Sequence, residues 1–132
     1  MNRRRFLKTG IGGVASLAAL RAGVLAAEGE KSLRVALIGC GWYGKTDLFH
    51  LIQVAPVEVV GLCDVDSRAR DRAAELVSGR QTSKKRPPVF GDYRRLLKEQ
   101  RPEIVLVGTP DHWHCLPMIE ACKAGADVYV QK

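Results

Sequence analysis

Between residues 33 and 131 the chain alternates apolar runs of strand length with segments whose apolar residues recur at helical spacing, and this alternation restricts the fold more than any other feature. LRVALIG (33 to 39) is an almost unbroken apolar run, as a parallel strand covered on both faces requires. After a glycine turn, Leu48, Leu51, Ile52 and Ala55 keep helical spacing until Pro56 stops the helix. VEVVGLC (57 to 63) reads as a second strand. Ser67 can cap the next helix, whose inner face is Ala69, Ala73, Leu76 and Val77, with Gly79 at its end.

Residues 88 to 90 suit a short third strand, and Asp92 caps a brief helix presenting Tyr93, Leu96 and Leu97 before Pro102. EIVLVG (103 to 108) is the fourth strand. Pro117 suits a first helical turn, Met118, Ile119 and Cys122 form the expected buried stripe, and Gly125 ends the helix. DVYVQ (127 to 131) is the fifth strand. Only SGRQTSKKRPP (78 to 88) is irregular, and it reads as a solvated basic connection.

Each right-handed crossover must lay its helix on a sheet face, so the pattern predicts an α/β fold: a doubly wound parallel sheet of Rossmann type, in the order 3-2-1-4-5. Ligands on such sheets sit beyond the carboxyl ends of the strands, at the switch between strands 1 and 4. The residues that follow each strand are therefore the ones to read for function.

Strand 1 leads into GCGWYG, with Gly39, Gly41 and Gly44 in G-x-G-x-x-G spacing and Trp42 and Tyr43 inside the turn. The first glycine permits a tight turn, the second lets the backbone approach a pyrophosphate, and the third lets helix pack on strand. The helix N-terminus then offers N–H groups to the anion. Such a turn alone is a weak signal, but here a strand precedes it and a helix follows. Strand 2 ends at Asp64, twenty residues beyond Gly44, where a carboxylate would accept from the adenosine ribose hydroxyls. A carboxylate repels a 2′-phosphate, which favours NAD. Arg68, four residues on, is either a receiver for that phosphate, leaving NADP open, or a solvated charge on the helix.

Strand 4 leads into GTPDHWHC, placing Thr109 and Pro110 at the switch point beside the nicotinamide half of the cofactor. Asp111, His112 and His114 invite a metal or triad reading, but no H-E-x-x-H or C-x-x-C spacing supports one, and His114 is read as a cofactor or substrate contact. His50 falls off the core stripe of its helix. Cys40, Cys63, Cys115 and Cys122 show no disulfide-framework spacing, and three of them sit in or beside apolar elements as small hydrophobes.

The chain carries 21 Lys+Arg against 14 Asp+Glu, a net charge of +7. Five of those cations (Arg3, Arg4, Arg5, Lys8, Arg21) precede the first acid at Glu28, and without them 16 basic residues face 14 acidic ones, a balance of +2. A nucleic-acid partner is therefore not expected. Thr9 to Leu20 is uncharged yet shorter than the ~20 residues of a membrane-spanning helix, so no permanent anchor is expected. Arg3-Arg4 followed by Phe6-Leu7-Lys8, a glycine-diluted apolar run and small residues up to Ala27 resembles a twin-arginine signal over residues 1–27. The resemblance implies passage through the twin-arginine translocase, already folded, to the periplasm or beyond. Folding in a reducing cytosol would account for cysteines left free in an exported protein.

Residues 33 to 132 together resemble the N-terminal domain of the Gfo/Idh/MocA oxidoreductases, on the ordered series VALIGCGWYG, VVGLCDVD, GDYRRLL, IVLVGTPDHWH and AGADVYVQK. The resemblance implies an NAD(P)-binding Rossmann domain over 32–132 in an enzyme moving hydride between nicotinamide and a sugar or polyol hydroxyl carbon. Some members use NAD transiently to cleave glycosidic bonds, which makes a hydrolase the second reading; a cofactor-binding fragment without catalysis is the third. In the family the fifth strand ends in Glu-Lys-Pro, with the lysine near the nicotinamide and the substrate hydroxyl. By resemblance Lys132 takes that catalytic role, with Gln131 where glutamate is usual. The family continues into a second α/β domain that covers the sugar or cyclitol and supports a homo-oligomer, so the given segment is expected to be truncated before it and to turn over weakly alone.

Overall fold

The computed structural model describes residues 31–131, and the expected signal over residues 1–27 and the expected catalytic Lys132 lie outside the described residues. Five strands, β1 (Leu33–Ile38), β2 (Val57–Cys63), β3 (Val89–Phe90), β4 (Ile104–Val107) and β5 (Asp127–Val130), form one sheet in the order β3-β2-β1-β4-β5. Every pairing in it is parallel. The expected order and fold class are thus observed. Between them run α1 (Trp42–Val54), α2 (Ser67–Arg80), α3 (Tyr93–Gln100) and α4 (Cys115–Lys123), with a 3-10 turn at Asp111–Trp113.

The apolar run Val35–Ile38 of β1 follows from burial on both faces. Val35 and Leu37 pack with Leu48 of α1 and Ala73, Ala74 and Val77 of α2, while Ala36 and Ile38 pack with Leu96 and Leu97 of α3 and Ala121 of α4. Burying one leucine such as Leu37 contributes about 1.5–3 kcal/mol, and the same side chain fixes which face α1 covers.

Three local expectations are corrected. Asp66, not Ser67, caps α2, its Oδ1 accepting from the Arg68 N–H at 2.9 Å. A carboxylate one residue earlier reaches the second helical N–H, which a hydroxyl already inside the first turn does not. Gly79 does not end α2, which continues to Arg80 with the Gln81 N–H bonded to the Val77 carbonyl. On α4 the buried residues are Pro117 and Ala121, whereas Ile119 and Cys122 are exposed. Proline and alanine let the helix lie close to the sheet, and large apolar residues do not fit that seam. Asp92 caps α3 and Gly125 takes a positive φ of 84° after α4, both as expected.

The basic connection after α2 is not merely solvated. Gln81 is fully buried, its Oε1 accepting from the Val59 N–H at 3.0 Å and its Nε2 donating to the Lys85 carbonyl at 2.6 Å. Because β3 is only two residues long, Gln81 satisfies an N–H of β2 that no neighbouring strand reaches.

Candidate functional site

The turn after β1 is shaped by how closely three backbone segments meet. Gly39 has φ +95°, and a Cβ there would lie 2.6 Å from the carbonyl carbon and oxygen of Gly108. A Cβ on Gly108 would sit 2.8 Å from the Gly44 Cα, and one on Gly44 would collide with the Gly39 carbonyl. Gly39, Gly44 and Gly108 therefore lock the ends of β1 and β4 to the start of α1, and no side chain fits between them. Gly41 differs: nothing lies within 4 Å of where its Cβ would be. It keeps open the space that faces the N-terminus of α1, where no side chain caps the helix and the first turn carries no acid. The N–H groups of that turn have no intrahelical partner and are set to receive an anion.

Asp64, just past β2, is held from two sides. Its Oδ2 accepts from the Cys40 N–H at 2.7 Å and its Oδ1 from the Asp66 N–H at 2.9 Å, while Arg70 donates to its main-chain carbonyl at 3.0 Å. Each carboxylate oxygen retains a lone pair, so the group both pins the glycine turn and can still accept from a diol. Below it, burial and then the Asp64 charge push the thiols of Cys40 and Cys63 up to about 12, so both stay neutral and unreactive.

These elements border one cleft of about 1010 Å³ across the carboxyl ends of the strands. Gly39, Gly41, Trp42, Tyr43, Asp64, Thr109 and Pro110 line it together. Trp42 and Tyr43 are exposed and meet edge to face at 4.9 Å. Gly44 is buried beneath the turn. Two further candidates also do not line the cleft. Arg68 is exposed on the first turn of α2, and the ring of His114 lies behind the wall, its Nδ1 3.0 Å from Thr109 Oγ1. Lys132 lies outside the described residues, next to Gln131, which lines the cleft and donates its N–H to the Val107 carbonyl.

Sequence reasoning passed over several lining residues: Val65, the Gly91–Arg94 segment after β3, Pro117 and Gly108. The rule that function follows each strand end points to GDY after β3 as well, whereas nothing in the sequence marks Gly108 as the partner of Gly44. Among the described residues no group of three or more His, Cys, Asp or Glu side chains is arranged to hold a metal ion. A smaller cavity of about 600 Å³ lies between Arg70 and α3; the helix N-terminus at its edge is already capped by Asp92, and its Arg95 is engaged by Glu99.

The open diphosphate path at Gly41, the uncapped helix and the unsaturated Asp64 carboxylate fit a dinucleotide. Comparison with known proteins agrees. A family model described as "Oxidoreductase family, NAD-binding Rossmann fold" (GFO_IDH_MocA) matches residues 33–132. Among curated relatives, "Glycosyl hydrolase family 109 protein 1" of Akkermansia muciniphila is 33% identical over 103 residues, covering 75% of this chain and 21% of that protein. The family 109 protein of Stenotrophomonas maltophilia is 32% identical over 134 residues, covering 97% and 29%. Of solved structures, myo-inositol 2-dehydrogenase from Lactobacillus plantarum superposes with TM-score 0.64 at 25% identity over 77% of this chain and 28% of that one. The myo-inositol dehydrogenase of Lactobacillus casei, in complex with NAD(H) and myo-inositol, gives TM-score 0.67 at 22% identity over 77% and 29%, a likeness of fold. The chain thus spans under a third of the length of each of these relatives.

Proposed function

We infer the activity from one premise: the chain belongs to the Gfo/Idh/MocA oxidoreductase family, and residues 33–132 are its NAD-binding Rossmann domain. The whole protein, on this reading, moves hydride between NAD and a hydroxyl-bearing carbon of a sugar or cyclitol. The observation that carries it is the pairing of an open Gly41 with the anchored Asp64 across one cleft.

Bound there, the cofactor supplies a hydride acceptor and donor, and the protein's own residues bind and orient it. The turn at Gly41 and the first N–H groups of α1 take the diphosphate. Asp64 accepts from the adenosine ribose and disfavours a 2′-phosphate, and Arg68, off the cleft lining, does not offset that charge; NAD is accordingly the cofactor in preference to NADP. Thr109, Pro110 and His112 border the β4 side, where the second nucleoside would lie. Lys132, following Gln131 at the cleft rim, would take the hydroxyl proton, a role supported by the family resemblance and by its place in the chain. Replacing it with methionine should cost more in kcat than in NADH affinity.

A second reading is cleavage of a glycosidic bond with no net change in the cofactor, favoured by the 32–33% identity to glycosyl hydrolase family 109 proteins. Assaying the whole protein with NAD and both a free cyclitol and a nitrophenyl glycoside separates the two. Net NADH absorbance with the cyclitol supports the dehydrogenase; nitrophenol release without net NADH supports the hydrolase and rejects the first reading. Residues 1–27 would act as a twin-arginine signal delivering folded protein to the periplasm, and the whole protein would act as a homo-oligomer. Undiminished periplasmic product after Arg3→Lys and Arg4→Lys would reject that route.

A further inference from the structure

Three polar groups beside the β4 end form a short relay that the cofactor reading leaves unused. Thr109 Oγ1 lies 3.0 Å from His114 Nδ1, and His114 Nε2 lies 3.4 Å from Asp111 Oδ1. The 3-10 turn holds all three in place through the Trp113 N–H to the Pro110 carbonyl at 2.8 Å and the His114 N–H to the Asp111 carbonyl at 3.3 Å. His114 is largely buried, with a side chain only 16% exposed, and its Nε2 makes no hydrogen bond of good geometry.

The direction of this relay follows from what each atom can do. A carboxylate only accepts, so the ring nitrogen facing Asp111 carries the proton; the other tautomer would set a lone pair against a negative charge. In the singly protonated ring that tautomer leaves Nδ1 an acceptor, to which the Thr109 O–H donates. With its hydrogen committed inward, Oγ1 keeps only lone pairs for the cleft. We propose that His114, oriented by Asp111, is a positioning residue that fixes the Thr109 hydroxyl as a hydrogen-bond acceptor toward the cleft, where it takes an amide N–H donor: the carboxamide of the nicotinamide half.

The inference rests on the assignment of the cleft to NAD. With the diphosphate over α1 and the adenosine held at Asp64 on the β2 side, the second nucleoside must cross to the β4 side, where Thr109 lines the wall. The threonine backbone is itself immobilised, since Gly108 packs on Gly44 and a Cβ at Gly39 would lie 2.7 Å from the Thr109 nitrogen.

The test uses calorimetric titration of the 132-residue chain with three probes: NAD, its 3-acetylpyridine analogue, in which a methyl replaces the amide NH2, and ADP-ribose, which lacks the ring. The wild type should bind NAD roughly fivefold to tenfold more tightly than the analogue, the effect of one neutral hydrogen bond and an unmet acceptor. Thr109→Val and His114→Leu should erase that preference and leave ADP-ribose affinity unchanged. His114→Asn, whose amide oxygen can replace Nδ1 as an acceptor, should restore it. Equal affinity of wild type for NAD and the analogue would overturn the contact, and this comparison needs no variant to fold. A preference persisting in Thr109→Val would overturn it too. Failure of ADP-ribose to bind folded wild type would overturn the cleft assignment, and the contact with it.

Discussion

On the β1–β2 side of the cleft, position is set by backbone against backbone: Gly39 and Gly44 meet each other and the Gly108 backbone at the end of β4 where no side chain fits, and Asp64 is tied to the Cys40 N–H. On the β4–β5 side it is set by side-chain hydrogen bonds on a short 3-10 turn, among residues such as Trp113, Leu116, Ile119 and Tyr129 that are 41–52% exposed. The contrast follows what each half would hold. A diphosphate and a ribose are common to every dinucleotide and would meet rigid main chain and a carboxylate anchored to it, whereas a reacting ring needs directional contacts that adjustable side chains supply.

The largest effect should come from filling the glycine junction. Gly39→Ala combines a positive φ with contacts of 2.6 Å to Gly108, and overpacking together with left-handed strain should cost roughly 3 kcal/mol or more. A thermal melt should show a large loss of stability, and an unchanged melt would mean that the junction is looser than its geometry.

Gly41→Ala sharpens the comparison, because it separates stability from binding. Its φ of −65° suits any residue and the space around it is open, so the melt should be unchanged while NADH affinity falls at least about tenfold, because a Cβ occupies the diphosphate path. Asp64→Asn should follow, with affinity for NADH reduced roughly tenfold and the preference over NADPH narrowed, since a charged acceptor of two hydroxyls is replaced by a neutral one.

Gln81→Leu, away from the cleft, should cost about 1–3 kcal/mol by leaving the Val59 N–H buried and unpaired, with NADH affinity of the folded fraction unchanged. Smallest near neutral pH is the effect of the two buried thiols. Their folded-state pKa, about 12, lies above the ordinary cysteine value of about 8.5. The protonated folded state is therefore fully favoured below about pH 8.5, and stability should fall only as pH rises from there toward 12. A thiol reagent at pH 8 should label the exposed Cys115 and Cys122 quickly and reach Cys40 and Cys63 only on unfolding.

The same division governs what could be read from the sequence. The β1–β2 side was legible because its devices are local: three glycines at fixed spacing and an acid at a strand end, each demanded by backbone geometry. The β4–β5 side was less so. His114 stood out as a polar residue after a strand, but its place behind Thr109 depends on a turn of three residues that spacing does not specify. Gly108 resembles any strand-ending glycine until Gly44 is brought against it. The buried face of α4 was misjudged because hydropathy weights Ile119 and Cys122, whereas close helix–sheet packing selects Pro117 and Ala121. Gln81 was read as part of a solvated loop because the shortness of β3, which leaves the Val59 N–H to a side chain, is a tertiary fact.

The central claim is that the glycine turn and Asp64 hold a nicotinamide dinucleotide. Titrating NADH into the folded chain and into its Gly41→Ala variant, with melts recorded for both, tests it most directly. One molecule bound per wild-type chain, with binding lost in a variant of unchanged melting temperature, is the predicted result. Folded wild type that takes up no NADH, or a variant that binds it equally well, would contradict the account.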